Sequence, residues 1–351
     1  METISTTDYI NMAKNIYTKF QDGESKKIFK DRLLYSITNE SRYIESIVSM
    51  NKYGKALLEI IHKKNIYLFG AGIWGNEITK IYGEYIEGIF DNDPIKAGKI
   101  LNGFVIQKPE EIINKDFDGV ILITIKNGCD EIRNQLLKTG ISNKNIYDIE
   151  AMIEMAEDDI YFSLDELSHD ENETFVDVGC LDAKTSINFV KWSKKYKKIF
   201  CLEPDANNFN KCIDNIRKYL KSDKVELNKC GAWSYNGVLH MASRGNAMSY
   251  ISEGENGGDG DECVCVEKLD DILKDEVPTY IKMDIEGAEM EALKGAEYII
   301  KKYKPKLAIS IYHKPEDIID LIYIIMQYRN DYKFYLRHYS IASFDTVLYA
   351  V

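Results

Sequence analysis

The chain has 351 residues, 45% of them hydrophobic and 29% charged, with a formal net charge of −12. That balance is ordinary for folded protein and long enough for two or three domains. The acidic charge argues against a nucleic-acid partner, since phosphate backbones demand a basic face, and no apolar run approaches the roughly 20 residues of a membrane-spanning helix. The N-terminus has no basic stretch followed by an apolar one, so no signal peptide is expected. The seven cysteines show no C-x-x-C spacing. Cys180, Cys201 and Cys265 fall in apolar strand-like runs, where free thiols act as small hydrophobes, and a reducing cytoplasm is the simplest compartment.

Residues 1–62 carry apolar groups at helical spacing. Ile10, Ala13, Ile16, Tyr17 and Phe20 fit one face; Leu33, Leu34 and Ile37 fit a second helix; Leu57, Leu58, Ile60 and Ile61 fit a third. No chemical motif occurs there, which predicts a helical cap or a contact between copies of the chain. A first α/β domain is expected over 63–150. Strand Asn65–Phe69 leads into Gly70-Ala-Gly72-Ile-Trp-Gly75 and a helix, and strand Ile86–Phe90 ends at Asp91. Further strands fit Val120–Ile125 and Ile146–Ile149, with helical Cys129–Lys138 between them. Such β-α-β-α-β alternation implies a parallel sheet. Gly70, Gly72, Gly75 and Asp91 satisfy the pattern of a dinucleotide site, with glycines for close backbone approach and an acid for ribose hydroxyls. The alternative is a Rossmann-like module whose glycines serve packing.

Met152–Asp170 reads as an acidic linker, and 151–351 as a second α/β domain. Strand 174–179, helix 184–195, strand 198–203, helix 205–220 and strand 224–229 follow one another. A hairpin is expected at Gly237–Met241, a polar glycine-rich loop at Ser252–Glu262, and a strand at Val264–Val266. Strand 279–284, helix 287–303, strand 306–312 and helix 315–329 come next. Closing strand runs at Lys333–Arg337 and Thr346–Ala350 predict a seven-stranded sheet with an antiparallel last strand.

The strongest signal is a pair of strands that stop at acids, Asp177 and Asp284, with a strand ending in Glu203 between them. Ligands of open α/β sheets bind outside the carboxyl ends of the strands. Glu203 can accept both ribose hydroxyls of an adenosine, and the helix start at Thr185 and Ser186 can receive a carboxylate. A ligand with adenosine at one end and an amino-acid carboxylate at the other is S-adenosylmethionine. Residues 174–351 resemble the FkbM family of class I S-adenosylmethionine-dependent methyltransferases. Phe175-Val-Asp-Val-Gly, Cys201-Leu-Glu-Pro-Asp, Ile281-Lys-Met-Asp-Ile-Glu-Gly-Ala-Glu, Leu307-Ala-Ile-Ser-Ile-Tyr-His-Lys-Pro-Glu-Asp and Leu336-Arg-His-Tyr-Ser carry the likeness. The resemblance implies a seven-stranded Rossmann-like methyltransferase sheet, preceded here by the smaller Rossmann-like domain and the helical segment. It departs at Ala183, where the family's loop usually has a second glycine, and at Cys180, where it has a small Ala. Asp177, Gly179, Asp182, Thr185, Ser186, Glu203, Pro204 and Ala232 are the donor-binding positions it implies.

A hydroxyl acceptor must lose its proton to a base or to a metal that lowers its pKa. Asp284, Glu286, Glu289 and His313 are the candidate groups, and Asp284 and His313 are expected to end neighbouring strands. Lys282, two before Asp284, points to the same strand face and is a candidate ion-pair partner for Asp284 or a substrate contact. Asp284, Glu289 and His313 would also suit a divalent cation. The expected acceptor is a sugar, a glycan or a related small metabolite. Alternatives are N-methylation of an amino-acid or amino-sugar group, a nicotinamide-dependent oxidoreductase using Gly70–Gly75, and a non-catalytic scaffold.

Overall fold

The computed structural model describes residues 6–63, 65–113, 117–220, 223–242, 250–252 and 262–351. The chain divides into two compact units. The larger comprises the residues up to Phe29, Tyr161–Arg337 and Thr346–Val351; the smaller comprises Lys30–Ile160 and His338–Asp345. Helices α1 (Thr6–Lys19), α2 (Gly23–Thr38), α3 (Ser41–Val48) and α4 (Lys52–Ile61) open the chain. The division falls inside α2, so the helical segment expected at 1–62 is shared between the units.

In the smaller unit, α4 starts where the Asn51 side chain accepts the Gly54 N–H at 2.6 Å, the usual device for satisfying an orphan donor at a helix start. Leu57, Ile60 and Ile61 are buried as the periodicity requires, but Ile37 is 72% exposed. The α/β series is β1 (Ile66–Phe69), α5 (Ile73–Tyr82), β2 (Ile86–Phe90), β3 (Ile100–Leu101), β4 (Phe104–Gln107), α6 (Glu110–Ile113), β5 (Val120–Ile123), α7 (Cys129–Lys138), β6 (Ile146–Asp148) and α8 (Glu150–Asp159). Its six-stranded sheet runs β3-β4-β2-β1-β5-β6. All its pairings are parallel except that of β3 with β4. That added hairpin turns on Asn102-Gly103, at φ of 47° and 91°; Asn and Gly tolerate the positive φ a two-residue hairpin turn requires. The segment 338–345 is tied into this unit: Asn51 donates to the Ser340 carbonyl at 2.9 Å, and the Ser343 hydroxyl donates to Glu77.

The larger unit contains β7 (Thr174–Val178), α9 (Lys184–Ser193), β8 (Lys198–Leu202), α10 (Ala206–Asn215), β9 (Val225–Asn228), β10 (Gly231–Ala232), β11 (Gly237–Ala242), β12 (Tyr250–Ser252) and β13 (Glu262–Glu267). It continues with α11 (Leu269–Leu273), β14 (Tyr280–Met283), α12 (Glu289–Lys294), α13 (Glu297–Tyr303), β15 (Lys306–Ser310), α14 (Asp317–Tyr328), β16 (Phe334–His338) and β17 (Thr346–Ala350). The expected single helix at 287–303 is broken at Gly295-Ala296. Of the expected polar loop at 252–262, residues 253–261 lie outside the described residues.

The seven-stranded sheet has the order β16-β17-β15-β14-β7-β8-β9. The neighbours from β15 to β9 pair in parallel and β17 is antiparallel to β15, as the closing strand runs predicted. Strands β7, β14 and β17 are buried along their whole length, which is why they read as apolar runs rather than alternating ones. Strand order reverses at β7, the switch point where open α/β sheets bind ligands. The Glu203 strand, β8, lies between the two Asp strands in sequence only; in space β14 and β8 flank β7. A second sheet, of four strands in the order β10-β13-β11-β12, follows β9 in the chain.

Helix α1 docks on the larger unit. Ile16 and Phe20 are buried, and Tyr9 donates to Asp320 of α14 at 3.2 Å. Gln21 donates its N–H to the Phe334 carbonyl of β16 at 3.2 Å. Ile10 and Tyr17, placed by periodicity on the same apolar face, are 50% and 43% exposed. Among the described residues, no helix is long and apolar enough to cross a membrane.

Candidate functional site

The site is built on the loops that leave β7 and β14. Gly179 has φ of 76°, and a Cβ placed there would lie 2.2 Å from the Asp284 carbonyl oxygen. The two loops touch backbone to backbone, and only glycine fits. Ala183 adopts the same left-handed region at φ 64°, a strain of roughly 1–2 kcal/mol for a residue with a Cβ.

Beneath the loop lies a buried brace that the sequence did not reveal. Lys282 is 2% exposed. It donates to the Gly179 and Val178 carbonyls at 2.6 and 3.3 Å and pairs with Asp177 at 3.2 Å. The other Asp177 oxygen accepts the Ser186 hydroxyl at 2.7 Å. Burial works to lower the Lys282 pKa, but Asp177 and then Asp284 outweigh it, and the ammonium is held above its usual range. Lys282, expected to pair with Asp284 or to contact a substrate, makes its ion pair with Asp177 and feels Asp284 through its charge; Asp177 and Ser186, expected at the donor, bond to each other beneath the loop.

Above the brace opens a cleft of about 680 Å³, its solvent-filled mouth included. Gly179, Glu203, Pro204 and Ala232 line it, together with Asp284 and Glu286. Asp177, Asp182, Thr185 and Ser186 do not. The Asp182 carboxylate accepts the Lys184 N–H at 3.0 Å at the start of α9, so its role is local. Glu203 accepts the Leu181 and Asp205 N–H groups, both at 2.9 Å, one on each oxygen. Each oxygen keeps a lone pair for a ribose hydroxyl. Burial pushes its carboxyl up to about 7, against the pull of those two N–H groups. The lining residues Asn208, Gly231 and Met241 were not anticipated. Asn208 had a signal: it lies one turn into α10, whose N-cap Asp205 accepts its N–H at 3.0 Å.

At the β14 end of the cleft, acids surround one imidazole. His313 Nδ1 lies 3.0 Å from Glu289, and its Nε2 lies 3.4 Å from Asp284 and 3.8 Å from Glu286. Asp284 also accepts the Tyr161 hydroxyl at 2.8 Å and the Tyr312 hydroxyl at 3.3 Å. Burial works to raise the Asp284 carboxyl, but Lys282, His313 and Tyr161 hold it below the usual range. For His313, burial works downward and is overruled by Glu289, Asp284 and Glu286, which push the ring up to about 9. Glu286 stands at the mouth, with its side chain 34% exposed. Partial burial, Asp284 and Glu289 push its carboxyl upward, and solvent moderates that push. The strands of Asp284 and His313, β14 and β15, are neighbours as expected. Tyr161 comes from the stretch that reads as linker and was not anticipated.

In the smaller unit, the glycine motif is turned inward. A Cβ on Gly75 would lie 2.0 Å from the Gly70 carbonyl oxygen, so this glycine admits a close approach within the chain itself. Asp91 accepts the Ala71 N–H at 2.7 Å and the Asp93 N–H at 2.8 Å, and pairs with Lys96 at 3.0 Å. The acid that would hold ribose hydroxyls is engaged by its own loop and a lysine. Gly70 and Gly75 thus serve close packing within the chain, while a Cβ on Gly72 would meet open space.

Residues 177–335 match the Methyltransferase FkbM domain, and residues 62–147 match the C2185-like, N-terminal domain. Among solved structures, a methyltransferase FkbM from Methylobacillus flagellatus KT is 20% identical with a TM-score of 0.52, over 90% of this chain and 100% of that one. That likeness shows the fold. A methyltransferase of Streptococcus mutans in complex with SAH is 12% identical with a TM-score of 0.34, over 57% of this chain and 97% of that one. No curated protein matches the chain.

Proposed function

Since residues 177–335 are an FkbM methyltransferase domain and the chain is accordingly an S-adenosylmethionine-dependent methyltransferase, we propose that it methylates a hydroxyl group of a sugar, a glycan or a related small metabolite. In this reading Glu203 takes the ribose hydroxyls of the donor, while Gly179, Pro204 and Ala232 give it close backbone and apolar contact. The methyl group then faces the β14 end of the cleft. Methyl transfer from a sulfonium is an in-line displacement, so alignment of acceptor, methyl and sulfur supplies much of the rate.

The observation that carries the oxygen assignment is that Asp284 and Glu286 line the same cleft as Glu203 and Gly179. A hydroxyl needs its proton taken as it attacks. An amine attacks in its neutral form, and a cluster of carboxylates would instead favour the unreactive ammonium. Glu286, at the mouth, is the base in this reading, with Asp284 and His313 fixing its surroundings. A divalent cation held by Asp284, Glu289 and His313 is the other device that could activate the hydroxyl. The test is transfer of labelled methyl from S-adenosylmethionine to a panel of nucleotide sugars, glycans, amino sugars and hydroxylated small metabolites. An O-methyl ether is the expected product. Methylation confined to nitrogen, or to none of these classes, would overturn the assignment.

A further inference from the structure

At the β14 end of the cleft, ligand-type side chains converge, and three of their buried polar atoms lack a hydrogen-bond partner among the described residues. One carboxylate oxygen of Asp284, one of Glu289 and one ring nitrogen of His313 all lie within 4.8 Å of one another. Glu289 is fully buried. Its Oε1 accepts the Ile285 N–H at 2.9 Å, and its Oε2 has no hydrogen-bond partner among the described residues. The His313 side chain is 8% exposed, and neither ring nitrogen makes a well-directed hydrogen bond among the described residues. The nitrogens lie close to carboxylate oxygens nonetheless, Nδ1 at 3.0 Å from Glu289 and Nε2 at 3.4 Å from Asp284.

The two close contacts fall on different ring nitrogens, so one cation would take only one of them, from three ligand atoms that lie within 4.8 Å of one another. Bonds of about 2.1 Å place neighbouring ligand atoms roughly 3–3.5 Å apart. A carboxylate oxygen removed from water with no donor facing it also needs a positive partner. Asp284 is oriented from its far side, where the Tyr161 hydroxyl occupies Oδ2 at 2.8 Å; outer contacts of this kind fix a ligand carboxylate in place. The Tyr312 hydroxyl reaches the other oxygen only at 3.3 Å. Two carboxylates and one imidazole, with no thiolate among them, suit manganese or magnesium better than softer ions.

We propose that Asp284, Glu289 and His313 bind one divalent cation of the manganese–magnesium class, open toward the cleft that Asp284 lines. Water or acceptor oxygens would complete its coordination from that side. The use of such an ion to activate an acceptor hydroxyl rests on the O-methylation reading; the binding site itself does not.

The experiment is titration of the metal-free full-length chain with Mn²⁺, followed by electron paramagnetic resonance. One Mn²⁺ per chain is expected, displaced by Mg²⁺, with pulsed spectra showing coupling to an imidazole nitrogen. Glu289→Gln and Asp284→Asn should each weaken binding by at least about tenfold. Absence of Mn²⁺ binding, binding without nitrogen coupling, or equal affinity in folded variants would overturn the site. If a variant does not fold, the nitrogen coupling in the wild-type chain decides alone. Calorimetry with S-adenosylmethionine on the same metal-free protein separates the two ideas. Donor binding without Mn²⁺ binding defeats the cation site and leaves the methyltransferase reading intact.

Discussion

Replacing Lys282 with Met tests how the donor loop is held. Lys282→Met keeps the length and apolar stem of the side chain and deletes its ammonium. The loop loses the donations to the Gly179 and Val178 carbonyls at 2.6 and 3.3 Å, and Asp177 loses its partner at 3.2 Å. Asp177 is fully buried and would keep only the Ser186 hydroxyl. Removing one partner of a buried ion pair costs about 3–5 kcal/mol, because the other charge stays behind uncompensated. Each charged hydrogen bond is worth about 1.5–3 kcal/mol, but these terms overlap with the first and do not add to it. A loss of about 3–5 kcal/mol is therefore expected, read from urea denaturation of the larger unit. The double variant Lys282→Met with Asp177→Leu removes both charges and should recover about half of that loss or more. Donor affinity should fall in both, since the Gly179 carbonyl is released in both. The reasoning is refuted if Lys282→Met unfolds at the wild-type denaturant concentration and yet loses turnover. Lys282 would then act in the chemistry and not beneath the loop.

Three further outcomes are expected. Glu203→Gln should weaken donor binding by about 10- to 150-fold in calorimetry, the worth of hydrogen bonds to a charged acceptor. Because burial sets the Glu203 carboxyl near 7, wild-type donor affinity should rise from about pH 6 to about pH 8 as the carboxylate forms, and Glu203→Gln should flatten that rise. Glu286→Gln should lower turnover by about 10²–10⁴-fold with donor affinity within a few-fold, the usual worth of a general base; turnover near wild type on the true acceptor would exclude Glu286 from proton removal. In the smaller unit, burial and then Arg32 push the His338 ring down to about 3. The unfolded chain takes up that proton near pH 6.5, so this contribution to stability is complete above that pH and is lost as pH falls toward about 3. About 2 kcal/mol should be gone by pH 5. Equal acid sensitivity in wild type and His338→Gln, measured by urea denaturation at pH 5 and 7, would refute the assignment.

The succession of strands in the larger unit was legible because fully buried parallel strands leave unbroken apolar runs, and Asp177, Glu203 and Asp284 mark where three of them stop; their spatial order was not, since β7 lies between β14 and β8. The pairing of Lys282 with Asp177 was not, although the two residues stand opposite each other in the β14–β7 register. Alternation says which face a side chain takes, not which neighbouring strand will lie beside it. Tyr161 was hidden for a related reason. It reaches Asp284 across 123 residues from a stretch whose composition reads as linker. For the Gly70–Gly75 motif, spacing alone could not show that Asp91 pairs with Lys96 and accepts backbone N–H groups of its own loop. The β3–β4 hairpin was not among the expected elements, although its turn carries an Asn-Gly signature.

The interleaving of the two units has a consequence for biosynthesis. Helix α1 belongs with α14, yet Tyr9 and Asp320 are 311 residues apart. At roughly 5–20 residues per second, the ribosome separates them by about 15–60 s. The smaller unit is no better placed. Its α/β series is complete by Ile160, but the segment 338–345 that Asn51 and Glu77 hold follows only about 180 residues later. Neither unit can close until residues 338–350 have emerged. A chain truncated by premature termination would therefore leave two incomplete units instead of one finished and one missing, and would be a natural client for chaperones and proteases.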